Sequence, residues 1–535
     1  MNPSPLSRRA TLRELSRWAA LLAAQRVAAA PDLSLPRQER PHFGADPFTL
    51  GVASGQPRPD SVILWTRLAP QPMAPRGGMP RALVALQWQV AEDEGFSRLR
   101  RSGTVWADPA QAHSVRVHAD GLTPGRIWFY RFIAGNAVSP TGRTRTAPAE
   151  EAPVERLRLV LASCQHYEQG WFVAQREIAG LDIDFVLFTG DYIYDNPCAR
   201  RLRVRSHESG QHPSGQAFSL PQFRCRHAHY KLDPDLQAAH RAHPWILAWD
   251  DHEVRNDYAG LRGDDDFDLP PAEFVRVRAH AYQAYFEHLP LALDQQPGPG
   301  GMRMHDRFTW GRLAELWTLD GRQYRDVQAC NDQGRYNGHL RWRCDAMDAP
   351  HRSMLGPTQR QWLQQGLAGS RRRWKLIGQS TQMSPWGLPA PDGRRLVFTD
   401  GWDGYARERA ALLGFIGAQR IDDVVVLGGD VHRHVAAQLR ARPGDPRSPV
   451  VASEFVATSL TSAGMPQSTM SLIRRANPDI LHARSDVRGY MQLEVTERSL
   501  NCIARATDFP VLPHSRMRTL ARFHVEAGRP GPQVG

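Results

Sequence analysis

Lysine is nearly missing from this chain. Lys231 and Lys375 are the only two in 535 residues, and arginine carries the rest of the basic charge. That skew is a mark of genomic base composition rather than of function. The formal net charge of +12 still favours anionic partners such as phosphates, nucleic acid or acidic lipids. No Lys/Arg tract is interleaved with aromatic residues, which argues against a nucleic-acid-binding module. No apolar run reaches the ~18 residues of a membrane span. Cysteine is scarce as well, and six in a chain of this length cannot build a disulfide scaffold. Cys330 and Cys344 bracket a loop and are candidates to pair in an oxidising compartment, as are Cys198 and Cys225.

What is present is enough apolar material, 41% of residues, for a large core divided into roughly two to four domains. Residues 1–30 resemble a twin-arginine export signal. Ser7, Arg8, Arg9 and Leu12 fit the pattern, Thr11 stands where an aromatic residue is usual, and small residues follow at 27–29. Export through the twin-arginine machinery, which carries folded proteins, to the periplasm or beyond is the expectation.

Residues 43–148 alternate in short runs separated by Gly and Pro turns, with strands at 48–55, 61–67, 82–90, 113–119 and 121–132. That spacing predicts a small, fibronectin-like β-sandwich domain. No His, Asp or Cys cluster occurs there, so it receives no chemistry. After a Pro/Glu-rich linker the pattern changes to strands alternating with helices over 157–505, an α/β domain with sheets packed between helices. Strands are expected at 157–162, 185–189, 245–249, 313–319, 374–378 and 423–427, and helices at 170–180, 272–288, 358–367 and 405–417. Residues 195–240 and 290–310 read as long polar loops, the first rich in histidine, where a second metal site is the alternative to a solvated loop. Residues 506–535 are expected to form a C-terminal tail.

The chemistry lies just past the strands. Ser163, Cys164 and Gln165 follow the first; Gly190, Asp191 and Tyr194 follow the second; Asp250, Asp251, His252 and Asn256 follow the third. The 423–427 strand runs into Gly428, Gly429, Asp430 and His432. A parallel sheet gathers strand carboxyl ends at one crevice, where ligands bind. Thiolate and phenolate suit trivalent iron, and carboxylates with an amide suit a hard divalent ion, so a polynuclear centre bridged by Asp191 is expected. Such centres activate an oxygen nucleophile and clamp phosphoryl oxygens. Arg322 and Arg325, after the 313–319 strand, are the candidates to bind substrate phosphate through planar, bidentate contacts.

With these stretches in view, the chain resembles the PhoD-type alkaline phosphatases, a branch of the calcineurin-like metallophosphoesterases. The match runs in order through residues 50–67, 162–165, 190–194, 249–254, 320–325, 355–363 and 428–432. The resemblance implies an N-terminal sandwich, a phosphoesterase domain, twin-arginine export, and a centre of ferric iron (Fe3+) and calcium (Ca2+). It implies iron held by Cys164, Asp191, Tyr194 and His432, and calcium held by Asp191, Asp251, Asn256 and Asp430. It makes His252 the general acid or base beside the metals. A monomeric hydrolase of phosphate monoesters or diesters is expected, with a phospholipase D-like phosphodiesterase on the same site as the alternative. A cysteine hydrolase using Cys164 and His252 is the more distant competitor.

Overall fold

The computed structural model describes residues 35–206, 215–263, 269–331 and 336–535. The expected export signal, together with His207 and His212, lies outside the described residues. None of the described helices is long and apolar enough to cross a membrane.

Two large sheets pack face to face between helical layers. The first has ten strands, and at its centre Arg156–Ala162, Phe185–Thr189 and Pro244–Ala248 run parallel. The second has seven, with Ala314–Thr318, Trp374–Gly378, Val424–Gly428 and Val450–Val456 parallel in succession. Strand alternation explains the layering. Leu159, Leu161 and Leu187 face inward and meet Leu316, Leu376, Val425 and Leu427 from the opposite sheet. The other faces meet helices. Val160, Val186 and Leu247 pack on Ile178, Leu236 and Tyr282, while Ile377 and Val426 pack on Leu363, Leu412 and Ile416. Strands buried on both faces are the near-continuous apolar runs that the sequence shows.

The expected strands and helices of the α/β region form within a few residues of their predicted bounds, among them Trp374–Gly378, Pro271–His288 and Ala406–Ala418. Three expectations are corrected. The N-terminal strands do not make a self-contained sandwich: Val52–Gly55 pairs in parallel with Pro244–Ala248, and Val62–Arg67 and Ser114–Ala119 continue the ten-stranded sheet. A separate six-stranded sheet packs on that extension, with Leu86, Trp128 and Tyr130 against Val62, Leu64 and Val117. The stretch 506–535 is not a tail either, because Arg518–Glu526 pairs with Ser499–Asp508 at the far edge of the same sheet.

The third correction concerns 195–240. It holds two helices, Leu220–Lys231 and Pro234–Ala242. Their local signals are clear in retrospect. Gln222 reaches back to the Ser219 N–H at 2.9 Å, and Asp233 caps the N–H groups of Asp235 and Leu236, with Pro234 in the first turn. The helix was hidden by what it buries: His227, His229, Arg226 and Lys231 in place of aliphatic residues. The candidate pairing of Cys198 with Cys225 is not formed, and both are free, Cys225 lying inside the first of these helices. Cys330 and Cys344 do form a disulfide.

Lys231 is sealed between aromatic rings, its ammonium 4.2 Å from the Trp65 centroid and 5.6 Å from that of Tyr192. Burial lowers its pKa to about 7 from 10.5. A lysine whose folded pKa is depressed costs stability in full below that value, and the cost fades as pH rises toward 10.5. Lys231→Met is therefore expected to stabilise the protein at pH 6 by on the order of 5 kcal/mol, less the cation–π attraction it gives up. The gain should vanish above pH 10. Thermal unfolding at both pH values checks this, and an equal gain at both would contradict it.

Candidate metal centre

The expected ligands lie in the turns that follow parallel strands, and at four of them the backbone is strained. Cys164, Asp191, Asp430 and His432 all have positive φ, at 58°, 55°, 62° and 50°. Non-glycine residues in that region carry a cost that persists where the surroundings over-determine the backbone, typically at functional sites. Two glycines let the turns close. Gly190, at φ 106°, lies so near Asp250 that a Cβ there would sit 2.4 Å from the Asp250 Cβ. A Cβ on Gly429 would meet Ser163 Oγ at 2.5 Å. Glu253 ties two of these turns together by accepting from the N–H groups of Asp191, Tyr192 and Asp250 at 3.2, 2.6 and 2.9 Å.

The side chains converge in two overlapping groups. Cys164, Asp191 and His432 offer ligand atoms within 4.8 Å of one another, and Asp191, Asp251 and His252 do the same. Asp191 belongs to both. Its Oδ2 accepts from Tyr194 Oη at 2.9 Å, and Tyr194 Oη lies 3.2 Å from His432 Nε2. His432 Nδ1 sits 2.7 Å from the Ala463 carbonyl, an acceptor only, so Nδ1 carries the proton and the Nε2 lone pair faces the centre. Asn256 lies half-buried in the turns after Asp251.

The donor set fits a multivalent cation. Burial pushes Cys164, Asp191 and Tyr194 well above their ordinary pKa values, with neighbouring anions adding to it, so the bare cluster resists ionisation. A cation at their shared focus reverses that balance. Asp250 Oδ2 is buried with no hydrogen-bond partner. The same burial counts against Cys164 as a nucleophile, which needs a lowered thiol pKa. The thiol's hydrogen bond goes to Ser163 Oγ at 3.2 Å, and His252 Nδ1 is engaged by Asp195.

His252 stands beside the centre with its ring 4.3 Å from that of Tyr194. Its Nδ1 is 2.9 Å from Asp195 Oδ1, and its backbone N–H donates to Asp191 and Asp251. Burial works against the imidazolium, but Asp251, Asp191 and Asp195 outweigh it and hold the pKa well above 6.5. Asp195 escaped the sequence reasoning although it directly follows Tyr194, because nothing local says that it reaches His252. Ser462, which donates to Tyr194 Oη at 2.7 Å, escaped for the same reason.

Arg322 and Arg325 are brought to the centre, but not as free phosphate clamps. Arg325 is spent on Asp400 and on the carbonyls of Asp257, Tyr258 and Asp400. Arg322 is 1% exposed, bonds Asp250 and Asp400, and points Nη2 at Asp251 and Asp430 from 3.7 and 3.9 Å. Both position carboxylates. From the histidine-rich stretch, Cys198 approaches His166 and Glu168 within 4.8 Å. Glu168, however, already accepts from the Cys198 N–H at 2.6 Å and pairs with Arg203 at 3.2 Å.

Comparison with known proteins accords with this geometry. Residues 159–503 match the family model described as PhoD-like phosphatase, and residues 34–148 match its N-terminal domain. Alkaline phosphatase D of Bacillus subtilis (strain 168) is 39% identical over 498 residues, covering 92% of this chain and 83% of that one. A solved structure titled "Structure of PhoD" superposes with a TM-score of 0.87 at 38% identity, covering 92% of this chain and 93% of that chain. The chain therefore belongs to the PhoD-like phosphatase family and is an alkaline phosphatase D-like phosphoric ester hydrolase.

Proposed function

We propose that the chain is an exported, metal-dependent phosphoesterase that hydrolyses phosphate monoesters, diesters or both. In this reading Cys164, Asp191, Tyr194 and His432 hold ferric iron, and Asp191, Asp251, Asn256 and Asp430 hold calcium. The observation that carries it is the membership of Asp191 in both ligand groups, at a turn strained to put it there. When bound, such a metal set lowers the pKa of water and draws charge from the phosphoryl oxygens. The remaining work falls to the chain's own side chains. Asp195 fixes the His252 ring through Nδ1, which leaves Nε2–H to donate to the departing alkoxide. Arg322 braces Asp250 and balances the charge of Asp251 and Asp430.

The test is to assay the purified protein on an aryl phosphate monoester and the matching diester, before and after chelation. Activity should fall on chelation and return with iron and calcium. Full activity in a chelated protein free of both metals would overturn the proposal. The same preparation should be coloured, because phenolate or thiolate on ferric iron absorbs visible light by charge transfer. Tyr194→Phe should shift or abolish the band. A colourless, fully active enzyme without iron would remove the iron assignment.

A further inference from the structure

An apolar cleft of about 360 Å3 opens beside the metal centre. Its lining includes Asp430 and Thr381, so it adjoins the place where a phosphoryl group would sit. Its walls are Leu340, Trp386, Phe398 and Met465. Leu340 and Phe398 belong to a three-stranded sheet apart from the two main sheets, in which Leu340–Trp342 pairs with Arg395–Phe398. The Cys330–Cys344 disulfide closes the loop that carries Leu340. Leu340 is 57% exposed although it is large and apolar.

Arg433 lines the cleft as well and is fully buried. Its Nε donates to Gln382 at 2.9 Å, its guanidinium covers the Trp386 ring at 4.2 Å, and its Nη2 has no partner. Asp430, Asp403 and Glu454 offset part of the cost of burying this cation, and an approaching anion would offset more. Arg433 lines the same cleft as Asp430, which suits an anionic ester whose phosphoryl group sits beside Asp430. The cation also holds the Trp386 ring in place.

We propose that this cleft is the subsite for the alcohol portion of the ester, and that it selects phosphate esters of apolar alcohols, aromatic or long-chain alkyl. The inference rests on the phosphoesterase reading and deepens it. Beyond Thr381, Asp430, Arg433 and Thr469 the lining is mainly apolar and offers a sugar or glycerol hydroxyl few hydrogen-bonding groups, whereas an apolar group gains by leaving water.

The test compares kcat/KM within pairs matched in leaving-group acidity, phenyl against 2-naphthyl phosphate and ethyl against n-octyl phosphate. Each ester is supplied as the monoester and as its methyl diester. The wild type should prefer the larger member of at least one pair by about tenfold, the scale on which apolar pockets discriminate. The pair that shows the preference identifies the alcohol as aromatic or alkyl. Leu340→Asp and Phe398→Ala should each cut that preference severalfold. Leu99→Asp, equally exposed on the N-terminal sheet, should leave it intact. The cleft assignment is overturned if the wild type turns over the esters with no preference, or if the preference survives both cleft variants. If no ester is hydrolysed at any size, the phosphoesterase reading itself falls, and this inference with it.

Discussion

Asp191→Asn is expected to lower kcat by at least ~10²-fold, more than any other single change at the centre, and to lose bound metal. The substitution isolates charge from shape. Asparagine is nearly isosteric and is one of the few residues that tolerate the left-handed backbone at this position, where φ is 55°. The fold should therefore survive. What goes is an anion within reach of Cys164 and His432 on one side and of Asp251 and His252 on the other, so two coordination shells are disturbed together. A second signature separates this from simple misfolding. Burial raises the Asp191 carboxyl well above 3.8, so its ionised form costs stability in metal-free protein at neutral pH and ceases to cost as pH falls toward that value. In the presence of chelator Asp191→Asn should unfold at the same temperature as wild type or higher, and with metals supplied at a lower one. Retention of more than about a tenth of wild-type kcat would count against a bridging role.

His252→Ala should keep its metals and still lose roughly 10²–10⁴-fold in kcat, the span of general acid–base catalysis. The ring is held by the Asp195 contact at 2.9 Å and packs on Tyr194, yet 15% of its side-chain surface is open, so it can meet a leaving group. If it protonates the departing alkoxide, the loss should be larger for alkyl phosphates than for nitrophenyl esters, whose leaving group needs little help. Asp195→Asn should weaken the same step without abolishing it, because the imidazole then loses its orientation and the carboxylate that favours its protonated form. Elemental analysis alongside kinetics on both ester types decides the matter. Equal losses on both, with iron or calcium missing from the variant, would make His252 a structural support of Asp251.

The strand ends were legible because their signals are local. Four apolar runs, each broken by a turn or a glycine before a thiol, carboxylate or imidazole, put Cys164, Asp191, Asp251, Asp430 and His432 just past strand ends. Period and turn chemistry also place most of the α/β strands and helices. Partner choice across long separations is a different kind of information, and only the folded chain supplies it. Asp195 meets His252 57 residues away, Arg325 meets Asp400 75 residues away, and Arg322 meets Asp400 across 78. Nothing in the neighbourhood of either arginine distinguishes a phosphate clamp from a brace for buried carboxylates. The same holds for the sheet: Val52–Gly55 reads as one strand of a small domain, but its open edge is taken by Pro244–Ala248. Backbone N–H and C=O groups are alike in every strand, so an alternating pattern says which face is buried and is silent on which neighbour completes the ladder.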